Sequence, residues 1–120
     1  MISELAGRVF ATRNAAHIAH WQANAQGSFA RHMALDAFYN GVIEKLDGLV
    51  EMHQGAFGLI TTPKIPTVDP KNIATHISQE ARWITENRSE IAGDIPALEN
   101  VLDDLVGLYL TTYYKLKNLA

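Results

Sequence analysis

The sequence has no cysteine, which removes disulfides and thiolate metal ligands together. That absence suits a reducing cytoplasm, the expected location. Long hydrophobic runs are also missing. The longest uncharged apolar segment, LVGLYLTTYY at 105–114, is about half as long as a membrane-spanning helix. The opening MISELAGRVFATRN carries Glu4 and no continuous apolar centre, so no secretory signal and no membrane association are expected. Excess positive charge is absent too: the net charge is −3, with lysines and arginines scattered. No electrostatic footprint for nucleic acid or an anionic membrane results, and DNA binding is not expected.

What is present is ordinary globular composition. At 48% hydrophobic and 19% charged residues, the chain has enough apolar surface to resist disorder. Its 120 residues suit a single domain spanning 1–120.

Apolar periodicity predicts four helices and an all-α fold. The first, over 2–24, places Leu5, Val9, Thr12, Ala16, His20 and Ala23 on one face. AQGS then breaks the pattern, with Ser28 as the expected N-cap. The second, over 29–54, carries a stripe of Leu35, Tyr39, Val42, Ile43, Leu46, Leu49 and Val50. GAFGLITTPKIPTV at 55–68 interrupts with two glycines and two prolines. Asp69-Pro70 predicts a new start, a cap followed by proline at the first helical position. The third helix, over 70–91, presents Ile73, Ile77, Ile84 and Ile91, and Gly93 ends it. A fourth runs over 96–118 with Leu98, Val101, Leu105, Leu108 and Leu116.

The connections constrain the topology. Two short ones each join an antiparallel pair. The middle one differs: fourteen extended residues reach at most ~46–50 Å, and a 25-residue helix spans ~37 Å. The connection can therefore run the length of a bundle, which predicts a ferritin-like four-helix bundle with a long crossover between helices two and three. Its competitor is an up-down-up-down bundle with a loose second loop.

The second helix carries polar groups along one flank of its stripe. His32 and Asp36 are four apart, as are Asp47 and Glu51, so each pair shares a face and can offer two ligands to one ion. The pairs lie ~22 Å apart along one axis, however, too far to serve a single ion. A two-fold axis removes the difficulty. If two copies of the helix pack antiparallel, crossing near residues 40–44, His32/Asp36 of one chain meet Asp47/Glu51 of the other, and two identical sites form. His20 on the first helix supplies a further nitrogen. Imidazole with carboxylates and no thiolate suits iron, manganese or zinc.

The order His20-Trp21, His32, Asp36, Asp47, Glu51, with Gly27 and Phe29 between the histidines, resembles the Dps-type miniferritins of the ferritin-like superfamily. The resemblance covers residues 17–55; the last two helices match in placement only. It implies a ferroxidase centre shared between two-fold-related chains, with His20, His32 and Asp36 from one and Asp47 and Glu51 from its partner. It also implies a homodimer at least, with higher oligomers built from it. Trp21 resembles a tryptophan that takes up oxidising equivalents beside that centre. The implied activity binds ferrous iron and oxidises it with hydrogen peroxide or dioxygen, for iron detoxification or storage under oxidative stress. Three departures stand out. No basic N-terminal tail is expected, the 55–68 connector leaves little room for the family's small extra helix, and Gln22 and Ala23 follow the His-Trp pair.

Two other readings compete. One is a non-enzymatic helical oligomerisation module whose site is degenerate; the other is a divergent relative that binds a different metal or none. Trp21 alone also suits core or interface packing. His76 and Glu80 form another i, i+4 pair, with Glu80 among isoleucines, where a hydrogen-bonded buried carboxylate is expected rather than a ligand. His17 and His53 are expected at the surface or as satellites, and Asp103-Asp104 on a solvated face.

Overall fold

A computed structural model describes residues 1–119. Their regular secondary structure is all helical, without a strand among the described residues. The helices are α1 (Ile2–Trp21), α2 (Ser28–Phe57), α3 (Ile73–Glu86), α4 (Arg88–Ala92) and α5 (Pro96–Asn118), with a 3-10 turn at Pro70–Asn72 before α3. No helix among them is long and apolar enough to cross a membrane.

Packing proceeds around a ring in which α1 touches α2, α2 touches α5, α5 touches α3, and α3 returns to α1. The core lies inside this ring. Leu5 and Val9 of α1, Leu35, Phe38, Val42, Leu46 and Leu49 of α2, Ile73, Ile77 and Ile84 of α3, and Leu98, Leu102, Leu105 and Tyr109 of α5 are all buried there. Phe38 and Tyr109 meet edge to face, ring centroids 5.1 Å apart at 84°, the arrangement that favours aromatic quadrupoles.

The register between α1 and α2 is marked at both ends. His20 meets His32 near one end, and Ala6 and Phe10 share a groove with Leu46 and Val50 near the other. The connector after α2 lies along α1: Ser3 Oγ donates to the Thr61 carbonyl at 2.9 Å, and the Lys64 carbonyl rests on Gly7. Further along α1, Thr12 meets His76 at 2.9 Å, while Arg8 meets Glu80 at 2.9 Å. So α3 runs back down α1.

Four boundaries differ from expectation, one of them the end of α2, which runs to Phe57, three residues past the expected 54. Ser28 is not the cap of α2; Gly27 holds that position at φ 81°, a left-handed conformation suited to glycine. The expected third helix is broken at Asn87, whose side-chain amide donates to the Trp83 carbonyl at 2.8 Å. A short polar side chain competing for helix carbonyls in this way favours a local break. The first helix stops at Trp21, three residues early. At Asp69 the expectation holds, since its carboxylate accepts from the Lys71 amide at 2.9 Å, although the first turn is 3-10. Gly93 closes α4 at φ 58°.

Candidate functional site at the α1–α2 end

His20 lies in the last turn of α1 and His32 in the first turns of α2, so the short 22–27 loop brings them face to face. Their rings stack with centroids 3.6 Å apart. Each ring reaches across to the other residue's backbone: His20 Nδ1 to the His32 carbonyl at 2.8 Å, and His32 Nδ1 to the His20 carbonyl at 3.1 Å. A carbonyl only accepts, so both Nδ1 atoms carry the proton. Both Nε2 atoms are then left with a lone pair in the neutral ring, and neither has a protein partner among the described residues. A metal-binding imidazole needs this tautomer, its second nitrogen anchored to a carbonyl or carboxylate.

Asp36 sits one turn further along α2. Its Oδ1 accepts from the Tyr39 hydroxyl at 2.9 Å and from Asn40 Nδ2 at 3.3 Å. Burial, reinforced by the bond to Asp36, pushes the Tyr39 phenol above its ordinary value, so the hydroxyl stays protonated and donating. The Tyr39 ring is itself sandwiched: His17 stacks on it at 3.9 Å and 19°, and His20 meets it edge-on at 5.3 Å. Trp21 leans on His17 at 4.5 Å and is 68% exposed. His17, Tyr39 and Asn40 were absent from the sequence-based candidates. The available signal was spacing, since His17 precedes His20 by one turn and Tyr39 and Asn40 follow Asp36 by three and four residues.

Asp47 and Glu51 lie at the far part of α2, both exposed and without a hydrogen bond or ion pair among the described residues. They border a groove with Ala6, Phe10, Val50 and Ile60. One chain thus gathers His20 and His32 closely with Asp36 a turn away, and keeps Asp47 and Glu51 apart from them. Among the described residues of a single chain, no three His, Asp or Glu groups converge closely enough to hold a metal ion. Around the histidine end, Ile18, Trp21, Phe29 and Met33 expose apolar surface, Phe29 to 76%.

The remaining polar cluster is structural. Glu80 is 8% exposed and accepts from Arg8, whose guanidinium also lies 4.0 Å from the centroid of Trp83. His76 hydrogen-bonds Thr12, and burial lowers its pKa, opposed by Glu80 and assisted by Arg8. Arg8, His76 and Glu80 line a cleft of ≈ 650 Å³ beneath the connector. Asp103 is paired with Arg88 and Asp104 with Lys45, both at the surface. His53 is half-buried, as a satellite group would be, and its Nδ1 is buried without a hydrogen-bond partner among the described residues.

The model of a family described as "Family of unknown function (DUF5856)" matches residues 20–116, a span that contains His20, His32, Asp36, Asp47 and Glu51. A curated protein of Enterobacteria phage T4, described as an uncharacterized 14.6 kDa protein in the mobD-ri intergenic region, is 27% identical over 114 residues. The alignment covers 94% of this chain and 85% of the phage protein. No solved structure matches.

Proposed function

This chain belongs to the DUF5856 family, whose description assigns no activity, and we propose that it is a cytoplasmic, Dps-like ferritin relative that binds ferrous iron between two subunits and oxidises it. The observation that carries the reading is the reciprocal clasp of His20 and His32, which leaves the Nε2 lone pair of each ring without a protein partner among the described residues. Asp36 adds a carboxylate from the next turn. On this reading a second copy, related by a two-fold axis across α2, brings Asp47 and Glu51 to the same place. The donor set fits iron, and also manganese or zinc: imidazole nitrogens and carboxylates, with no thiolate.

The fold proposed with it is a ferritin-like four-helix bundle with a crossover. Two registers support this: Ser3 with Thr61 and Gly7 with Lys64 carry the connector along α1. Thr12 with His76 and Arg8 with Glu80 then make α3 antiparallel to α1, and so parallel to α2.

Iron here is the substrate. Hydrogen peroxide accepts one electron from each of two ferrous ions and, with two protons, leaves as two waters. The chain's own residues hold the two ions together, so that peroxide is not reduced by one electron to hydroxyl radical. His20 and His32 bind as neutral bases, and the carboxylates offset positive charge.

A second reading has its own observation. The exposed Ile18, Trp21, Phe29 and Met33 suit a helical oligomerisation module in which the polar groups are a degenerate site. The test is direct: untagged, metal-free protein receives anaerobic ferrous iron and then peroxide, and ferric absorbance is followed. Oxidation faster than in buffer, lost in His20→Ala and His32→Ala, supports the ferroxidase. Iron bound without faster oxidation leaves a metal-binding module, and no binding favours the purely structural role.

A further inference from the structure

We propose that Tyr39 is a positioning residue of this site, holding Asp36 by one carboxylate oxygen so that the other is free for the metal; the inference rests on the metal-binding reading above. An unheld aspartate on a helix flank rotates among several rotamers, and each bound ion must first freeze one of them. Here the carboxylate is already fixed. The Tyr39 hydroxyl donates to Oδ1 at 2.9 Å and Asn40 Nδ2 approaches the same oxygen at 3.3 Å. No protein donor among the described residues takes Oδ2.

Tyr39 is suited to this role because packing holds its ring. Its ring is buried between the helices, and His17 covers one face. The edge-on contact with His20 ties the same ring to one of the clasped histidines. One side chain therefore sets the relative placement of a carboxylate on α2 and an imidazole on α1. Partners behind the ligands govern metal affinity through such orientation, typically by 10–100-fold.

Cobalt(II) serves as the probe, because its visible absorption reports ligand number and its affinity is measured without turnover. Wild type, Asp36→Ala, Tyr39→Phe and the double variant are titrated, each checked for folding by circular dichroism. Tyr39→Phe keeps the ring and its stacking but removes the donor. The expected result is a 10–100-fold weaker affinity for Tyr39→Phe, with no further loss when it is added to Asp36→Ala. Wild-type affinity in Tyr39→Phe, with Asp36→Ala impaired, overturns the positioning role and leaves the metal site standing. An unaffected Asp36→Ala overturns the role as well, since there is then no ligand to position. If wild type itself takes up no cobalt, the metal-binding reading fails and the inference falls with it. A folded Tyr39→Phe with additive losses in the double variant identifies an effect that does not pass through Asp36, and also overturns it.

Discussion

The carbonyl oxygen of Lys64 occupies the space that a β-carbon on Gly7 would fill. Position 7 therefore admits only glycine while the connector lies where it does. Gly7→Ala must push the strap off α1 or shift the helix, and overpacking of this kind costs about 1–3 kcal/mol. Gly48, exposed in the middle of α2, meets nothing within 4 Å. There the same change should stabilise by roughly 0.5–1 kcal/mol through backbone entropy. Urea unfolding of the two variants should give midpoints displaced in opposite directions. Equal displacements would show that the connector is not seated on α1.

Shared construction of the metal site predicts complementation. Asp36→Ala and Glu51→Ala chains should each lose ferrous oxidation. In a heterodimer of the two, one site receives both lesions and the other receives none, so mixed refolding should restore up to about half the activity per dimer under two-fold symmetry. Mass spectrometry under native conditions verifies chain exchange. A verified heterodimer that stays inactive removes the shared site.

Burial holds His76 below the ordinary histidine value, against Glu80 and with help from Arg8; Thr12 is its neutral hydrogen-bond partner. His53 is also lowered, by burial and by the N-terminal ammonium. The unfolded chain then takes up protons at about pH 6.5, before the native one does. Stability contributed by these neutral rings is complete above that pH and is lost as pH falls towards the lower native values. Urea melts between pH 7.5 and 5.5 should show the decline. His76→Gln should flatten it, and His53→Gln should flatten it further. An unchanged slope in the double variant would assign the pH dependence elsewhere.

Removing the Glu80 carboxylate leaves Arg8 without its most buried partner. Arg8 is 34% exposed, so water and Glu4 screen part of the loss, and Glu80→Ala should cost about 1–3 kcal/mol rather than the larger figure for a sealed pair. Glu80→Gln keeps an acceptor for Arg8 and should cost less. Equal losses in both variants would show that charge, and not the acceptor, is what Arg8 requires.

Much of the helix pattern was legible because periodicity reports burial directly. Leu98, Leu105 and their neighbours marked the last helix to its observed ends, and Asp69-Pro70 announced its turn by cap chemistry. The break at Asn87 was hidden because one amide side chain reaching a carbonyl leaves no periodic trace. Ser28 misled because a left-handed glycine before it already set the entry to α2. The candidate ligands were legible as residue types and spacings along the first two helices. The clasp of His20 with His32 was not, since it depends on how the 22–27 loop closes. Tyr39 read as core because its ring is core; its hydroxyl acts at the boundary. His53 read as a surface or satellite group, and it lies half-buried where α2 meets the start of the chain.

The connector after α2 also separates the chain's contacts into early and late ones. His20 and His32 are 12 residues apart, whereas Thr12 and His76 are 64 apart and Arg8 and Glu80 are 72 apart. Closing the longer loops costs roughly 1.5 kcal/mol more entropy than closing the shorter one. The α1–α2 hairpin should therefore assemble first, with the seat for α3 on α1 left open and wet until most of the chain has been made. Pulse-labelled amide exchange during refolding should find protection in Phe38 and Val42 before it appears in Ile77 and Ile84, and simultaneous protection would contradict that order. In a chain emerging from the ribosome, the exposed flank of α1 is what neighbouring molecules would meet during that interval.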